Sequence, residues 1–111
     1  MTAFEQENPE QQKQAQCESA IFAAELGGRA PEVDLHGMDT IEALEAVDRF
    51  LHLQFMAGER VAKIVHGRGS GKLREVVHQL LKSHTLVEYY RDAQAPHSLA
   101  GVTYAVLGPK E

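Results

Sequence analysis

Residues 60–81 read RVAKIVHGRGSGKLREVVHQLL and contain the change of periodicity that decides the fold. Val61, Ile64 and Val65 are β-branched residues that suit a buried strand. Beyond the glycines, apolar residues recur at helical spacing. They are Leu73, Val76, Val77, Leu80 and Leu81. The segment therefore predicts a strand, a glycine-rich loop and an amphipathic helix, in that order.

The preceding residues predict another strand and helix. PEVDL at 31–35 reads as a short strand, and the chain from Asp39 to Glu42 has the spacing of a capping box. A helix is expected from about Thr40 to Met56, ended by Ala57-Gly58. Its apolar face is predicted at Ile41, Leu44, Val47, Leu51 and Phe55.

The rest of the chain completes a βαβαββ order. Residues 86–92 and 102–107 read as two further strands, and residues 10–26 read as an N-terminal helix ended by two glycines. A strand–helix–strand unit with so long a connection is normally parallel and right-handed. We therefore expect an α/β (α+β-like) two-layer sandwich, with a mixed four-stranded sheet, two helices and the N-terminal helix.

The length of 111 residues suits one domain, which we place at 31–108 after an acidic, glutamine-rich arm at 1–30. No apolar run approaches the ~20 residues needed to span a bilayer, and the polar first residues do not resemble a secretory signal. The single cysteine, Cys17, excludes an internal disulfide and is compatible with a reducing compartment. We expect a cytoplasmic monomer without a membrane partner.

The net charge of −5 argues at first against nucleic acid, but the charges are unevenly distributed. Residues 58–74 contain five basic residues but only one acidic residue, Glu59. Such a segment is typical of a surface that binds phosphate groups. The alternative is an ordinary solvated face.

Two His-Gly pairs follow the two predicted parallel strands. His36-Gly37 and His66-Gly67 each stand where a strand ends, and ligands of parallel α/β units gather at such ends. Adjacent strands lie about 4.8 Å apart, so the two pairs should converge. Asp34 lies two residues before His36, where a carboxylate can orient an imidazole and raise its pKa. The alternative reading is that Asp34 is a turn or cap residue.

The loop after His66 predicts an anion site. Glycines let backbone amides approach a ligand, and the loop opens onto a helix N-terminus, which attracts anions. The candidate phosphate-binding residues are Gly67, Arg68, Gly69, Ser70, Gly71, Lys72 and Arg74. The spacing matches neither a P-loop nor a dinucleotide-binding fingerprint, so no ATPase is indicated.

These motifs resemble those of the Smr (small MutS-related) domain. Val33–Gly37 is similar to its Leu-Asp-Leu-His-Gly motif, and residues 66–71 are similar to its His-Gly-x-Gly-x-Gly motif. The resemblance spans about residues 31–107. It implies DNA nicking or RNA cleavage, with Asp34 and His36 required and His66 supplied by the second motif. In the tail, His97 is a further candidate, although Ser98 and Leu99 replace glycines that are common there.

We therefore expect an endonuclease acting on RNA or DNA, with a role in RNA processing or DNA repair. Either His36 or His66 can serve as the base. In a metal-assisted variant of the mechanism Asp34 is a ligand of Mg²⁺, although no cofactor is required. No His/Cys cluster has zinc-ligand spacing. The competing hypotheses are a non-catalytic module that binds structured nucleic acid and a scaffold whose N-terminal arm docks on a repair or ribosome-associated protein.

Overall fold

The computed structural model describes residues 8–94 and 101–108, which form one mixed sheet and three helices. The elements are α1 (Pro9–Glu25), β1 (Glu32–Asp34), α2 (Thr40–Met56), β2 (Val61–Val65), α3 (Lys72–Ser83), β3 (Val87–Asp92) and β4 (Val102–Leu107). The strand order is β1-β2-β4-β3. β1 and β2 are parallel, and β4 runs antiparallel to both of its neighbours. The predicted mixed four-stranded fold is confirmed.

The helix α2 begins at Thr40, as its capping box predicts, and α1 begins at Pro9, one residue before its predicted start. Asp39 accepts a hydrogen bond from the Glu42 amide at 2.8 Å, and the Glu42 side chain accepts one from the Asp39 amide at 3.0 Å. Asn8 and Gln11 make the same reciprocal pair before α1, whose first residue is Pro9. These bonds satisfy amides that a helix start otherwise leaves without partners.

The main core lies between the sheet and the two helices α2 and α3. The set of residues that α2 buries in this core differs from the predicted set. Ala43, Val47 and Leu51 are its buried residues, whereas Ile41 is 69% exposed. The predicted face counted only large apolar side chains and therefore missed Ala43. An alanine lets the helix backbone approach the sheet closely, and this contact rotates Ile41 outward.

The opposite face of the sheet is covered by α1. Its buried residues Cys17 and Ile21 join a second apolar cluster with residues of β2 and β4, among them Val61, Tyr104 and Val106. The helix α1 therefore packs on the sheet instead of extending away from it. None of the helices within the described ranges is long and apolar enough to cross a membrane.

Shortening Ile21 to valine tests this docking. Ile21 is a fully buried residue of α1 that packs against the sheet. Ile21→Val should therefore lower the free energy of unfolding by about 0.5–1.5 kcal/mol, measured by chemical denaturation. Phe22→Leu is the matched control, because the neighbouring side chain is 57% exposed and its shortening should have little effect. Equal effects of the two changes would contradict the docked arrangement.

Candidate nucleic-acid site

The two His-Gly turns meet at one edge of the sheet. In the parallel pairing of β1 with β2, Asp34 is the register partner of Val65, and the Leu35 amide donates to the Val65 carbonyl at 2.8 Å. His66 directly follows β2, and His36 lies two residues after the end of β1. Gly37 and Gly67 both have positive φ, +81° and +83°, which glycine adopts without a steric penalty.

The turn after β1 is shaped by Asp34. Its Oδ1 accepts a hydrogen bond from the backbone amide of His36 at 2.9 Å, and both side chains are exposed. The carboxylate thus holds the backbone that carries the imidazole. Of His36 and His66, His36 is the one that solvent, and hence a substrate, can reach.

Asp34 and His66 leave the sheet on opposite faces. Val33 and Ile64 pack in the core beneath α2 and α3, whereas Val65 packs on the side of α1. Because side chains alternate along a strand, Asp34 lies on the α1 side and His66 on the α3 side. The sheet therefore brings the two turns together but does not place these two side chains in one cluster.

The glycine loop forms the start of α3. Gly71 is the N-cap residue in the left-handed region, with φ 88° and ψ 0°, and makes no side-chain cap bond. The Lys72 amide donates to Ser70 Oγ at 3.3 Å. A cavity of about 220 Å³ is lined by His66, Gly67, Gly69, Ser70, Gly71, Lys72, Leu73 and Arg74. Amides at the start of a helix and nearby cations suit a phosphate group.

The candidate basic residues differ in their surroundings. Arg68 and Lys72 are exposed, and the Lys72 ammonium lies 4.0 Å from the Glu75 carboxylate, a weak contact. Arg74 instead donates two hydrogen bonds to Asp92 Oδ2, at 3.0 and 2.6 Å. Its charge is thus already partnered within the fold. His97 lies outside the described residues.

His66 is a buried residue, 6% exposed. Its Nδ1 lies 3.1 Å from the Gly67 carbonyl oxygen, and its Nε2 lies 2.9 Å from the Thr103 hydroxyl. Burial lowers the pKa of this imidazole below its ordinary value, although the Gly67 carbonyl and Asp92 oppose the shift. Burial therefore favours the neutral form of this ring.

A polar network extends from His66 that the sequence analysis missed. Thr103 Oγ lies 3.0 Å from Asp92 Oδ1, and His78 Nε2 lies 2.9 Å from the same oxygen. Burial alone would raise the pKa of Asp92, but hydrogen bonds from Arg74, Thr103 and His78 lower it below its ordinary value. These residues come from separate elements, so no local spacing in the sequence could have revealed them.

A model of the Smr domain family matches residues 33–108, which include both His-Gly turns and the glycine loop. The chain belongs to the Smr domain family. The resemblance drawn from the two motifs is therefore confirmed.

Relatives of this Smr domain occur within longer proteins. The endonuclease MutS2 of Clostridium kluyveri is 41% identical over 78 residues, which are 70% of this chain and 10% of that protein. The endonuclease MutS2 of Symbiobacterium thermophilum is 44% identical over 78 residues, with the same shares. The chain thus spans about a tenth of the length of these curated relatives.

Solved structures confirm the fold of this Smr domain. The crystal structure of the Smr domain of Thermus thermophilus MutS2 matches with a TM-score of 0.70 and 35% identity, covering 72% of this chain and 100% of that one. YdaL, a stand-alone small MutS-related protein from Escherichia coli, matches with a TM-score of 0.68 and 23% identity, covering 82% of this chain and 75% of that one. The second likeness concerns the fold alone.

The Smr domain gathers possible metal ligands that sequence spacing did not indicate. Ligand atoms of His66, His78 and Asp92 lie within 4.8 Å of one another. However, the Thr103 hydroxyl contacts all three side chains, and Arg74 holds the other oxygen of the carboxylate. A nearby guanidinium opposes a cation, so this cluster fits a hydrogen-bonded network better than a metal centre.

A second group, Asp48, His52 and His84, lies between α2 and the end of α3. The Leu86 amide donates to His84 Nδ1 at 3.1 Å, so the proton of the neutral ring is on Nε2, which donates to Asp48 at 2.8 Å. A metal-ligating histidine instead donates its second ring N–H to an acceptor. This group therefore acts as a bridge between the two helices.

Proposed function

We propose that this Smr domain is a nucleic-acid endonuclease that cleaves phosphodiester bonds at the edge formed by Asp34, His36, His66 and the glycine loop. The observation that carries the proposal is the parallel pairing of β1 with β2, which brings both His-Gly turns to one edge of the sheet. The matching regions of proteins named endonuclease MutS2 support the same activity.

The loop would supply the phosphate site. Exposed Arg68 and Lys72 carry positive charge beside the cavity of about 220 Å³, where glycines leave the backbone accessible. A phosphodiester anion bound there gains charge-assisted hydrogen bonds. The same groups would stabilise the extra negative charge of the transition state, which is often the largest catalytic contribution.

The exposed imidazole of His36 would transfer the proton. With RNA, it would accept the proton of a 2′-hydroxyl as that oxygen attacks phosphorus, and the 5′-oxygen would leave. The products would then be a 2′,3′-cyclic phosphate and a 5′-hydroxyl. Acid–base assistance of this kind contributes about 10²–10⁴-fold. With DNA, which has no 2′-hydroxyl, the attacking group would be water.

Magnesium fits this edge poorly. Catalytic Mg²⁺ is usually held by one or two carboxylates together with substrate oxygens. Asp34 would be the ligand, but its Oδ1 already accepts from the His36 amide, and the neighbouring carboxylates Asp39 and Glu42 cap α2. The proposed acid–base route therefore uses side chains of the chain alone.

The test incubates the purified chain with labelled single-stranded RNA, duplex DNA and branched DNA, with Mg²⁺ or with EDTA. We expect cleavage that persists in EDTA, and RNA products that end in a cyclic phosphate. RNA products with 5′-phosphate ends would reject the 2′-hydroxyl route. Cleavage of DNA alone would assign the water route, and binding of every substrate without cleavage would favour the non-catalytic module.

A protein partner that docks through the N-terminal arm stays a second proposal. Phe22 and Leu26 of this arm are exposed large apolar residues, although α1 itself packs on the sheet. A role of this domain in DNA repair would follow from such a partner.

A further inference from the structure

Both ring nitrogens of His66 already have partners within the chain. Nδ1 faces the Gly67 carbonyl oxygen at 3.1 Å, and Nε2 faces the Thr103 hydroxyl at 2.9 Å. A general base needs a nitrogen within hydrogen-bond reach of the substrate proton. A substrate would have to displace Thr103 from a buried ring before His66 could act in this way.

The hydrogen-bond partners define the proton positions on this ring. A carboxylate oxygen only accepts, so the Thr103 hydroxyl donates its single proton to Asp92 Oδ1 at 3.0 Å. Thr103 Oγ then accepts, and His66 Nε2 is the N–H that donates to it at 2.9 Å. His78 Nε2, 2.9 Å from Asp92 Oδ1, also donates to that oxygen.

The network also ties the two ends of the glycine loop to one another. His66 stands just before the loop and Arg74 lies in the first turn of α3, just after it. Arg74 holds Asp92 Oδ2, and Asp92 Oδ1 contacts Thr103, which contacts His66. One continuous chain of polar contacts therefore spans the base of the loop.

The backbone adds to this restraint. The amides of His66 and Gly67 both donate to the Gly101 carbonyl, at 3.0 and 3.1 Å. The loop thus leaves β2 in a direction set by the residue just before β4. A loop of alternating glycines has a high conformational entropy, so it needs such restraints to present its amides in one arrangement.

We propose that His66, Thr103, Asp92 and Arg74 form a clasp that fixes the glycine loop in its phosphate-binding shape, and that His66 is a positioning residue that transfers no proton to or from the substrate. The inference rests on the proposed function of the loop. It assigns the acid–base step to His36 and gives Thr103 and Asp92 a role that neither motif contains.

Thr103→Val tests the clasp, because valine keeps the shape and removes the hydroxyl. We expect weaker binding of a labelled single-stranded RNA and a loss of cleavage of about 10²-fold, as for misplacement of a binding group by an ångström. The pH–rate profile of the variant should keep the shape that it has in the natural chain, because His36 still transfers the proton. Thr103→Ser retains the hydroxyl and should restore both. If His66 were the base, Thr103→Val would free its Nε2, and undiminished cleavage with an altered pH profile would overturn the proposal.

Nitrogen-15 NMR of the imidazoles gives a readout that needs no activity. We expect His66 Nε2 to carry hydrogen at neutral pH in the natural chain, because Thr103 donates its own proton to Asp92 and can only accept from the ring. An unprotonated Nε2 would overturn the clasp even if the enzyme cleaves RNA. The expected tautomer, together with weakened RNA binding in Thr103→Val, would support the clasp even if no substrate is cleaved. The spectrum of Thr103→Ser reports the same tautomer if the valine variant does not fold.

Discussion

Replacing His36 with alanine should lower phosphodiester cleavage by about 10²–10⁴-fold and leave nucleic-acid binding nearly unchanged. The imidazole is exposed just after the end of β1, so its removal would delete the proposed proton acceptor without disturbing the core. Initial rates on a labelled substrate and a binding titration with the same strand measure the two effects.

His52→Ala is the matched control for this change. It removes another exposed histidine, whose Nδ1 bonds to the Asp48 carbonyl of its own helix, and should leave cleavage unaltered. Equal losses in the two variants, or parallel losses of binding and cleavage in His36→Ala, would remove His36 from the mechanism. The double change of Asp34 and His36 to alanine should abolish cleavage while binding survives.

Asp34 itself needs two substitutions, because its carboxylate has two possible roles. Oδ1 accepts from the His36 amide at 2.9 Å, and asparagine retains an oxygen at that position while alanine does not. Activity that survives in Asp34→Asn but not in Asp34→Ala would show that the residue shapes the turn. Loss in both variants would show that the negative charge is required.

Replacing Arg91 with alanine should destabilise the fold by about 3–5 kcal/mol, the cost of removing one partner of a buried ion pair. The Arg91 side chain is 11% exposed and joins Glu25, 4% exposed, at 2.9 Å and Glu18 at 2.7 Å. It thereby attaches the C-terminal half of α1 to β3. Without the guanidinium these carboxylates lose their main countercharge, so α1 should detach first. Chemical denaturation measures the loss.

Glu75→Ala supplies the comparison for Arg91→Ala. Lys72 and Glu75 form an ion pair within α3, and their side chains are 65% and 63% exposed, respectively. Such exposed pairs contribute about 0.5 kcal/mol or less to the free energy of unfolding. A loss in Arg91→Ala no larger than in this control would mean that the contact of α1 with β3 adds nothing to stability. An intact sheet with a mobile α1 would separate local detachment from global unfolding.

Much of this fold follows from local signals in the sequence. The capping boxes at Asn8 and Asp39 define where two helices begin, and the glycines after His36 and His66 mark where two strands end. These signals depend on residues within one helical turn of each other. The parallel pairing of β1 with β2, and hence the shared edge, followed from the long helical connection between them.

Contacts between distant residues decided the rest. The inward face of α2 depends on how closely Ala43 approaches the sheet, and the docking of α1 depends on Arg91 of β3. The partners of His66 are Thr103 and, through it, Asp92, from strands that pair only in the folded chain. Hydrophobic periodicity records which side of an element is apolar. It does not record which polar groups from separate elements complete one another's hydrogen bonds, because that choice is made by tertiary packing.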